Sequence, residues 1–372
     1  MNPAGKRLLL AGGGTGGHLF PALAVADAWE AAGGETLFVG AQGGMECQLI
    51  PARGKRLITL EIGRLKGSGP LDRLRTLAGL PLAVAAARRV VREFAPHGVL
   101  GMGGYASAPA VTAARLMGVP TVLHEQNAIP GLTNRLLGRL ANRVLTGFAQ
   151  ATTFFPPGHA LETGNPVGGT FVHPFPPLVP PAPGEPFRLL IFGGSQGAHV
   201  FTEVVPEAII RLHRQTGLRI TVRQQARPED LETVRTRYAQ AGIPAQTEPF
   251  FQNMVSAYQE AHLVIARAGA SSIAELAATG RPALLVPYPF AADDHQTANA
   301  RPLTAAGGAW TREQKEFNVS WLTNFLADRL QDPDGLIQAG DLARTLARPR
   351  AAADMITAIL QLLAPQGTHS HV

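Results

Sequence analysis

Short apolar runs alternate along the chain with longer stretches of helical periodicity. Residues 7–11, 36–40, 57–61, 98–101, 121–123 and 143–146 read as strands, and 18–32, 81–94, 107–117 and 131–141 as helices. Strands that alternate with helices predict βαβ units and a parallel sheet. The rhythm stops at 171–186, where proline is dense, and restarts with strands at 187–192, 218–223, 263–266 and 283–286. Proline fixes φ and lacks an N–H, so 171–186 predicts neither helix nor central strand and reads as an interdomain linker. Helical pattern also fills 318–330 and 350–363. The expectation is an α/β protein of two doubly wound domains, 1–165 and 166–349, with the last helix, about 350–364, available to pack back on the first.

Polar residues gather where the predicted strands end. Gly12-Gly13-Gly14-Thr15-Gly16-Gly17-His18 follows the first strand, Gly101-Met102-Gly103-Gly104-Tyr105 ends another, and Gly193-Gly194-Ser195-Gln196-Gly197 opens the second domain. Glycine lets backbone N–H groups approach an anion, and a helix N-terminus favours phosphate. One such loop is explained equally well by the sterics of a tight turn. Three at strand C-terminal ends point to the ligand edge of open α/β sheets. The first loop fits G-x-G-x-x-G, yet the second strand ends Gly40-Ala41-Gln42 without the ribose-binding acid of dinucleotide folds, which argues against NAD. No Gly-Lys-Ser/Thr follows any loop, so a P-loop is excluded.

Two further stretches carry chemistry. In 266–276 a strand turns into a helix near Ser271 and Ser272, whose hydroxyls suit a helix cap or a diphosphate. Glu275 then falls on the same helix face, placed for a ribose or for a Ser272–Glu275 capping box. His124-Glu125-Gln126-Asn127 ends a strand with four polar residues, suiting a polar substrate or a hydrogen-bonded strand end. Asp293–Asn299 offers sugar-binding groups or an ordinary capped helix start.

Composition narrows the class. The 372 residues are 45% hydrophobic, enough for two cores, and the single cysteine, Cys47, excludes an intrachain disulfide and fits a reducing compartment. The four-residue apolar run before the first glycines is too short for a signal peptide core, and no run approaches a membrane span. Residues 1–165 carry 16 Lys and Arg against 9 Asp and Glu, a net of +7. That excess suggests an anionic partner. Leu71, Leu74 and Leu77, interleaved with Arg73 and Arg75 after the basic loop 64–69, suit contact with anionic headgroups before Gly79 and Pro81 interrupt. Residues 81–94 read instead as a helix packed on the sheet. Asp332-Pro333-Asp334 reads as a turn rather than a metal motif.

Taken together, GGGTGGH (12–18), GMGGYAS (101–107), HEQN (124–127), GNP (164–166), GGSQGA (193–198), RAGASSIAEL (267–276) and DHQTAN (294–299) resemble the bacterial peptidoglycan glycosyltransferases of the MurG type, in glycosyltransferase family 28. The resemblance implies a GT-B fold, two Rossmann-like domains facing a deep cleft. It implies inverting transfer of GlcNAc from UDP-GlcNAc to the MurNAc C4 hydroxyl of lipid I, giving lipid II. Donor contacts would come from Thr15, Gly16, Gly17, Asn127, Ser195, Phe251, Ala270, Ser271, Ser272, Ile273, Ala274, Glu275 and Gln296, with Glu275 on the ribose and Phe251 on the uracil. Gly14, Gly103, Gly104 and Tyr105 would receive the acceptor pyrophosphate.

The same resemblance implies a protein peripheral to the cytoplasmic face of the plasma membrane. It would contact the anionic leaflet through residues 64–92, bind no nucleic acid, and be open to cell-wall synthesis proteins as partners. It requires no cofactor; a divalent cation is compatible with the chemistry, but no ligand set implies one. His18, His124 and Glu125 are the candidates for general base. Three departures stand out, the mildest being Ser107-Ala108-Pro109 where the family has a Gly-Ser/Val-Gly-Pro element after the tyrosine loop. Gly168 occupies a position where the family usually carries a phosphate-binding arginine, for which Arg267 is a candidate substitute. His199 and Thr202 replace a usual arginine and asparagine. Other GT-B transferases, a UDP-GlcNAc 2-epimerase and a non-enzymatic nucleotide binder are the competing readings.

Overall fold

The computed structural model describes residues 2–62, 70–172, 174–194 and 197–364, divided into two units. The first comprises residues up to Gly169 together with those from Arg350, and the second Thr170–Pro349. Strands of the first unit are β1 (Arg7–Ala11), β2 (Glu35–Ala41), β3 (Leu57–Leu60), β4 (Gly98–Gly101), β5 (Thr121–Glu125), β6 (Arg143–Thr146) and β7 (Ala160–Glu162). They form one parallel sheet in the order β3-β2-β1-β4-β5-β6-β7. The second unit builds β8 (Phe187–Phe192), β9 (Ile220–Gln225), β10 (Ala245–Glu248), β11 (Leu263–Ala266), β12 (Ala283–Leu285) and β13 (Ala309–Thr311) into a parallel sheet ordered β10-β9-β8-β11-β12-β13. Both are doubly wound α/β sheets.

The apolar run of β1 is continuous because both sheet faces are covered. Leu8 and Leu10 face a core with Trp29 of helix Gly16–Ala31 and with Met355 and Ile359 of helix Ala351–Leu363. Leu9 and Ala11 face the opposite core, where Ala87, Val90, Val91 and Phe94 of helix Pro70–Phe94 pack with Val111. Helix Ala351–Leu363 thus belongs to the first unit and lies against helix Gly16–Ala31.

Three sequence expectations change. Helix Pro70–Phe94 runs through Gly79 and Pro81 without interruption. A proline inside a helix removes one hydrogen bond, and the buried stripe Ala83, Ala87, Val90, Val91 and Phe94 holds the following turns in place. The proline-rich segment is no linker. Gly169–Val172 is a helical turn, and Phe175 and Leu178 are buried in the second unit. Its carbonyls are taken up by arginines: Arg344 Nη1 donates to Phe175 O (2.9 Å) and the buried Arg281 to Pro176 O (3.4 Å). Prolines offer no N–H to be orphaned against this surface, so the strap satisfies its polar groups with few donors. Finally, Asp332 is a helix cap, accepting from Gly335 N at 2.9 Å ahead of helix Pro333–Arg344.

Candidate functional site

In an open parallel sheet, ligands collect where the strand order reverses, beyond the strand C-termini. The reversals fall at β1/β4 and at β8/β11. The loops that leave these four strands are 12–18, 102–107, 193–198 and 267–270, so each unit presents two of the sequence motifs side by side.

In the first unit, His18 sits where the two loops meet. A methyl group built on Gly103 would stand 3.4 Å from the His18 ring and 2.9 Å from the Asn134 amide nitrogen, and one on Gly104 would stand 3.4 Å from the ring. Both glycines have positive φ, +87° and +73°, so the loop needs glycine for its backbone as well as for space. The His18 Nδ1 lies 3.2 Å from Gly13 O and 3.2 Å from Thr15 Oγ1. A carbonyl only accepts, so the proton belongs on Nδ1 and the lone pair on Nε2. Thr15 is the N-cap of helix Gly16–Ala31 but makes no side-chain cap bond, leaving Gly16 and Gly17 as the helix start. Tyr105 begins a single 3₁₀ turn whose Ser107 Oγ donates back to Gly104 O at 2.9 Å.

The two rival bases are differently placed. His124 is fully buried; its Nδ1 accepts from Gln126 Nε2 (3.1 Å), so its Nε2–H donates to Gly164 O (3.2 Å). Burial drives its pKa down to about 4. The buried Glu125 carboxylate accepts from Asn127 N (2.8 Å), Asn127 Nδ2 (3.2 Å), Gly131 N (3.1 Å) and Asn134 Nδ2 (3.0 Å). Burial pushes its pKa up while these donors oppose the rise. Glu125 therefore shapes loop 126–131, and Asn127 takes its position from it. The side-chain oxygens of Gln126, Asn134 and Asn165 are buried and without a partner among the described residues, whereas the amide nitrogens of all three are bonded.

In the second unit, helix Ala270–Thr279 starts one residue earlier than the serines suggest. Gly269 is its N-cap, so Ser271 and Ser272 lie in the first turn and neither caps it. The Ser271 Oγ is buried without a partner among the described residues. A Ser272–Glu275 capping box does not form, because Glu275 Oε2 accepts from Tyr258 Oη at 2.9 Å. Burial pushes the Glu275 pKa up to about 7, and the tyrosine hydrogen bond opposes it. Ala270 and Ile273 are buried and Ala274 partly so. Gln296 accepts from Tyr288 N at 2.9 Å, which leaves its amide N–H groups to point elsewhere. Phe251, just beyond β10, is buried beneath the Arg223 guanidinium (5.4 Å). Ser195 lies outside the described residues, as do the basic loop 64–69 and the side chains of Leu71, Leu74 and Leu77.

Arg267 is not a substitute for a phosphate-binding arginine. It is buried, donates to Val286 O (3.0 Å), Pro287 O (3.1 Å) and Gln314 Oε1 (2.6 Å), and packs on Phe201 and Tyr288. Its role is to hold the β12 exit loop. Around Gly168 a Cβ would meet nothing within 4 Å. His199 and Thr202 both contact Asp230, which also pairs with Arg227 (2.7 Å) beside Gly197.

Two braces escaped the sequence reading. Glu46, fully buried, accepts from Gly14 N (2.9 Å) and Ala41 N (2.9 Å) and so fixes the first glycine turn. Gln225 plays the same part for the third loop, accepting from Gly193 N (3.0 Å) and donating to Gly194 O (2.9 Å) and Pro249 O (3.0 Å). For Glu46 the available signal was an isolated polar side chain after glycines, Gly43-Gly44-Met45-Glu46; Gln225, within the polar run Arg223-Gln224-Gln225, gave none.

The glycosyltransferase family 28 N-terminal domain profile matches residues 8–146, and the family's C-terminal domain profile matches 188–354. A relative from Magnetococcus marinus is 50% identical over 368 residues, covering 98% of this chain and 99% of that protein. It is described as UDP-N-acetylglucosamine--N-acetylmuramyl-(pentapeptide) pyrophosphoryl-undecaprenol N-acetylglucosamine transferase. The crystal structure of Acinetobacter baumannii MurG matches with a TM-score of 0.75 and 31% identity over 96% of this chain and 99% of that one. A putative UDP-N-acetylglucosamine 2-epimerase from Listeria monocytogenes shares the fold at a TM-score of 0.68, with 15% identity over 96% of each chain.

The Glu46 brace makes a testable demand. Glu46→Ala strands two backbone donors beneath Gly13, and we expect a loss of about 2–3 kcal/mol of stability by urea unfolding. Glu46→Gln keeps one of the two acceptor oxygens and turns an amide NH2 toward the other N–H, so it should lose at least half of that.

Proposed function

The chain belongs to glycosyltransferase family 28, and on that footing we propose that it transfers GlcNAc from UDP-GlcNAc to undecaprenyl-pyrophosphoryl-MurNAc-pentapeptide, lipid I. The observation that carries this reading is full-length similarity to such a transferase, combined with a pair of bare-backbone loops at the reversal point of each sheet. Two loop pairs match two substrates that each carry a pyrophosphate. The epimerase and other GT-B readings rest on shared fold alone.

The donor diphosphate is assigned to Ser195 and to the start of helix Ala270–Thr279, where the Ser271 hydroxyl, unpartnered among the described residues, and the helix N–H groups favour an anion. Glu275 takes the ribose hydroxyls, the backbone at Phe251 the uracil, and Gln296 the GlcNAc hydroxyls. Thr15, Gly16, Gly17 and Asn127 are assigned to the transferred sugar, and Gly14, Gly103, Gly104 and Tyr105 to the acceptor pyrophosphate. The acceptor C4 oxygen attacks the anomeric carbon from the side opposite UDP, so the C1–O bond to phosphate breaks with inversion and its electron pair leaves with UDP. The hydroxyl proton passes to His18 Nε2.

His18 is preferred as base because Gly13 O fixes its tautomer with the lone pair on Nε2. His124 already uses both ring nitrogens, and Glu125 is bound by four N–H donors. A buried group with every valence engaged must break its own network before it can accept a proton.

Attachment to an anionic leaflet is supported by apolar exposure on the first unit. Helix Pro70–Phe94 packs on helix Ala108–Leu116, which packs on helix Leu132–Leu137. Leu82 is 76% exposed, Leu116 67% and Leu132 72%, with Leu136 and Leu140 also exposed. Arg88, Arg89, Arg92, Arg115 and Arg139, on the first two of these helices and the turn after the third, are exposed too. Residues 81–94 thus pack on the sheet as expected, through alanines, valines and Phe94, and leave Leu82 outside. Apolar side chains amid basic ones fit a headgroup layer. Among the described residues no helix is long and apolar enough to cross a membrane.

Incubated with labelled UDP-GlcNAc and a lipid I analogue, the protein should yield the disaccharide product. UDP-ManNAc, or donor binding without turnover, would refute the assignment. His18→Ala should lower kcat by about 10²–10⁴-fold while donor affinity stays within about threefold. Full turnover would remove His18 as base. Since burial raises the Glu275 pKa to about 7, donor binding to the carboxylate form releases a proton from this group. UDP-GlcNAc affinity should therefore rise with pH up to about 7 and level off above it, and Glu275→Gln should flatten that dependence in titration calorimetry. Replacing Leu82 and Leu136 together by Glu should cut co-sedimentation with phosphatidylglycerol vesicles by about tenfold, with turnover of a soluble acceptor analogue retained.

A further inference from the structure

We propose that Tyr258 is a positioning residue for the donor nucleoside, its phenol O–H aiming the Glu275 carboxylate at the ribose hydroxyls. The inference rests on the assignment of Glu275 to the ribose. Its basis is a single contact. Among the described residues, the only hydrogen bond to the Glu275 carboxylate comes from Tyr258 Oη, at 2.9 Å to Oε2. An ionised carboxylate has about four acceptor positions on two oxygens. One bond to Oε2 leaves Oε1 whole and Oε2 partly available, the pattern that a pair of vicinal hydroxyls requires.

Tyr258 is fixed from every side. Its ring lies edge-on to Phe171 (5.9 Å, 73°) and to Phe192 (5.9 Å, 86°). Its carbonyl accepts from Arg281 Nε at 2.7 Å, and Arg281 Nη2 donates to Gln259 O at 3.1 Å. The C-terminal end of helix Met254–Glu260 is thereby tied down through a buried guanidinium. A phenol held by ring packing and by its own backbone gives the carboxylate one direction instead of a choice of rotamers. Burial also keeps the phenol protonated, so it remains a donor. Glu275 itself is partly accessible.

A hydroxyl that served only to satisfy a buried carboxylate would affect folding but not the reading of ribose. The test therefore compares steady-state kinetics with UDP-GlcNAc and with the analogue carrying 2′-deoxyuridine, for the full chain, Tyr258→Phe and Glu275→Ala. Tyr258→Phe keeps the ring packing, and melting temperatures measured alongside keep the assays well below unfolding. We expect Tyr258→Phe to raise KM for UDP-GlcNAc by about five- to tenfold with kcat within about twofold, and to leave KM for the 2′-deoxy donor nearly unchanged. Glu275→Ala should abolish the preference for the ribose donor. If Tyr258→Phe raises both KM values equally, or neither, while Glu275→Ala abolishes the preference, Tyr258 has no positioning role. If Glu275→Ala keeps the wild-type preference, the ribose assignment itself is wrong and the inference falls with it.

Discussion

Backbone N–H groups bind phosphate only if the chain is bare where the ligand approaches and rigid where it does not. Glycine supplies the first property and undermines the second. This protein resolves the conflict in both units with a polar side chain seated beneath the turn. Glu46 grips Gly14 and Ala41 in one unit, and Gln225 grips Gly193, Gly194 and Pro249 in the other. In the first case the contact is also steric: a methyl group on Gly13 would lie within 2.0 Å of the Glu46 carboxylate. The glycines thus make room for their own brace as well as for a ligand.

The surroundings of His18 extend the same logic to a side chain. Its ring rests on Gly103 and Gly104, and the loop carrying them is held by a buried network of His124, Glu125, Gln126 and Asn134. Such a network is costly where it is incompletely satisfied, and two of its amide oxygens, those of Gln126 and Asn134, have no partner among the described residues. It fixes geometry at the expense of stability.

Much of this was legible in the order of the residues. Strands 7–11, 98–101, 143–146, 187–192 and 263–266 have the observed bounds, because buried parallel strands are apolar on both faces and end at glycine or polar residues. The glycine motifs located the loops of both reversal points. What sequence spacing could not give was partnership across the fold. Nothing in Ser272-Ile273-Ala274-Glu275 tells whether the carboxylate turns back to its own helix or out to Tyr258, seventeen residues earlier in the chain. Nothing in His124-Glu125-Gln126-Asn127 separates a proton acceptor from a brace, since burial decides it. The proline-rich strap misled for a related reason: its local chemistry excludes regular structure, but Arg281 and Arg344, distant in sequence, give its carbonyls a place to dock.

Helix Ala351–Leu363 completes the core formed by Leu8, Leu10 and Trp29. On the ribosome, the amino-terminal sheet emerges first and must wait for the whole intervening unit before the last wall of that core is synthesised. The second unit, contiguous in the chain, can close on itself in the meantime. The two halves therefore mature in reverse of their order of synthesis. During that interval the nascent amino-terminal half carries an uncovered greasy face, a natural target for chaperones.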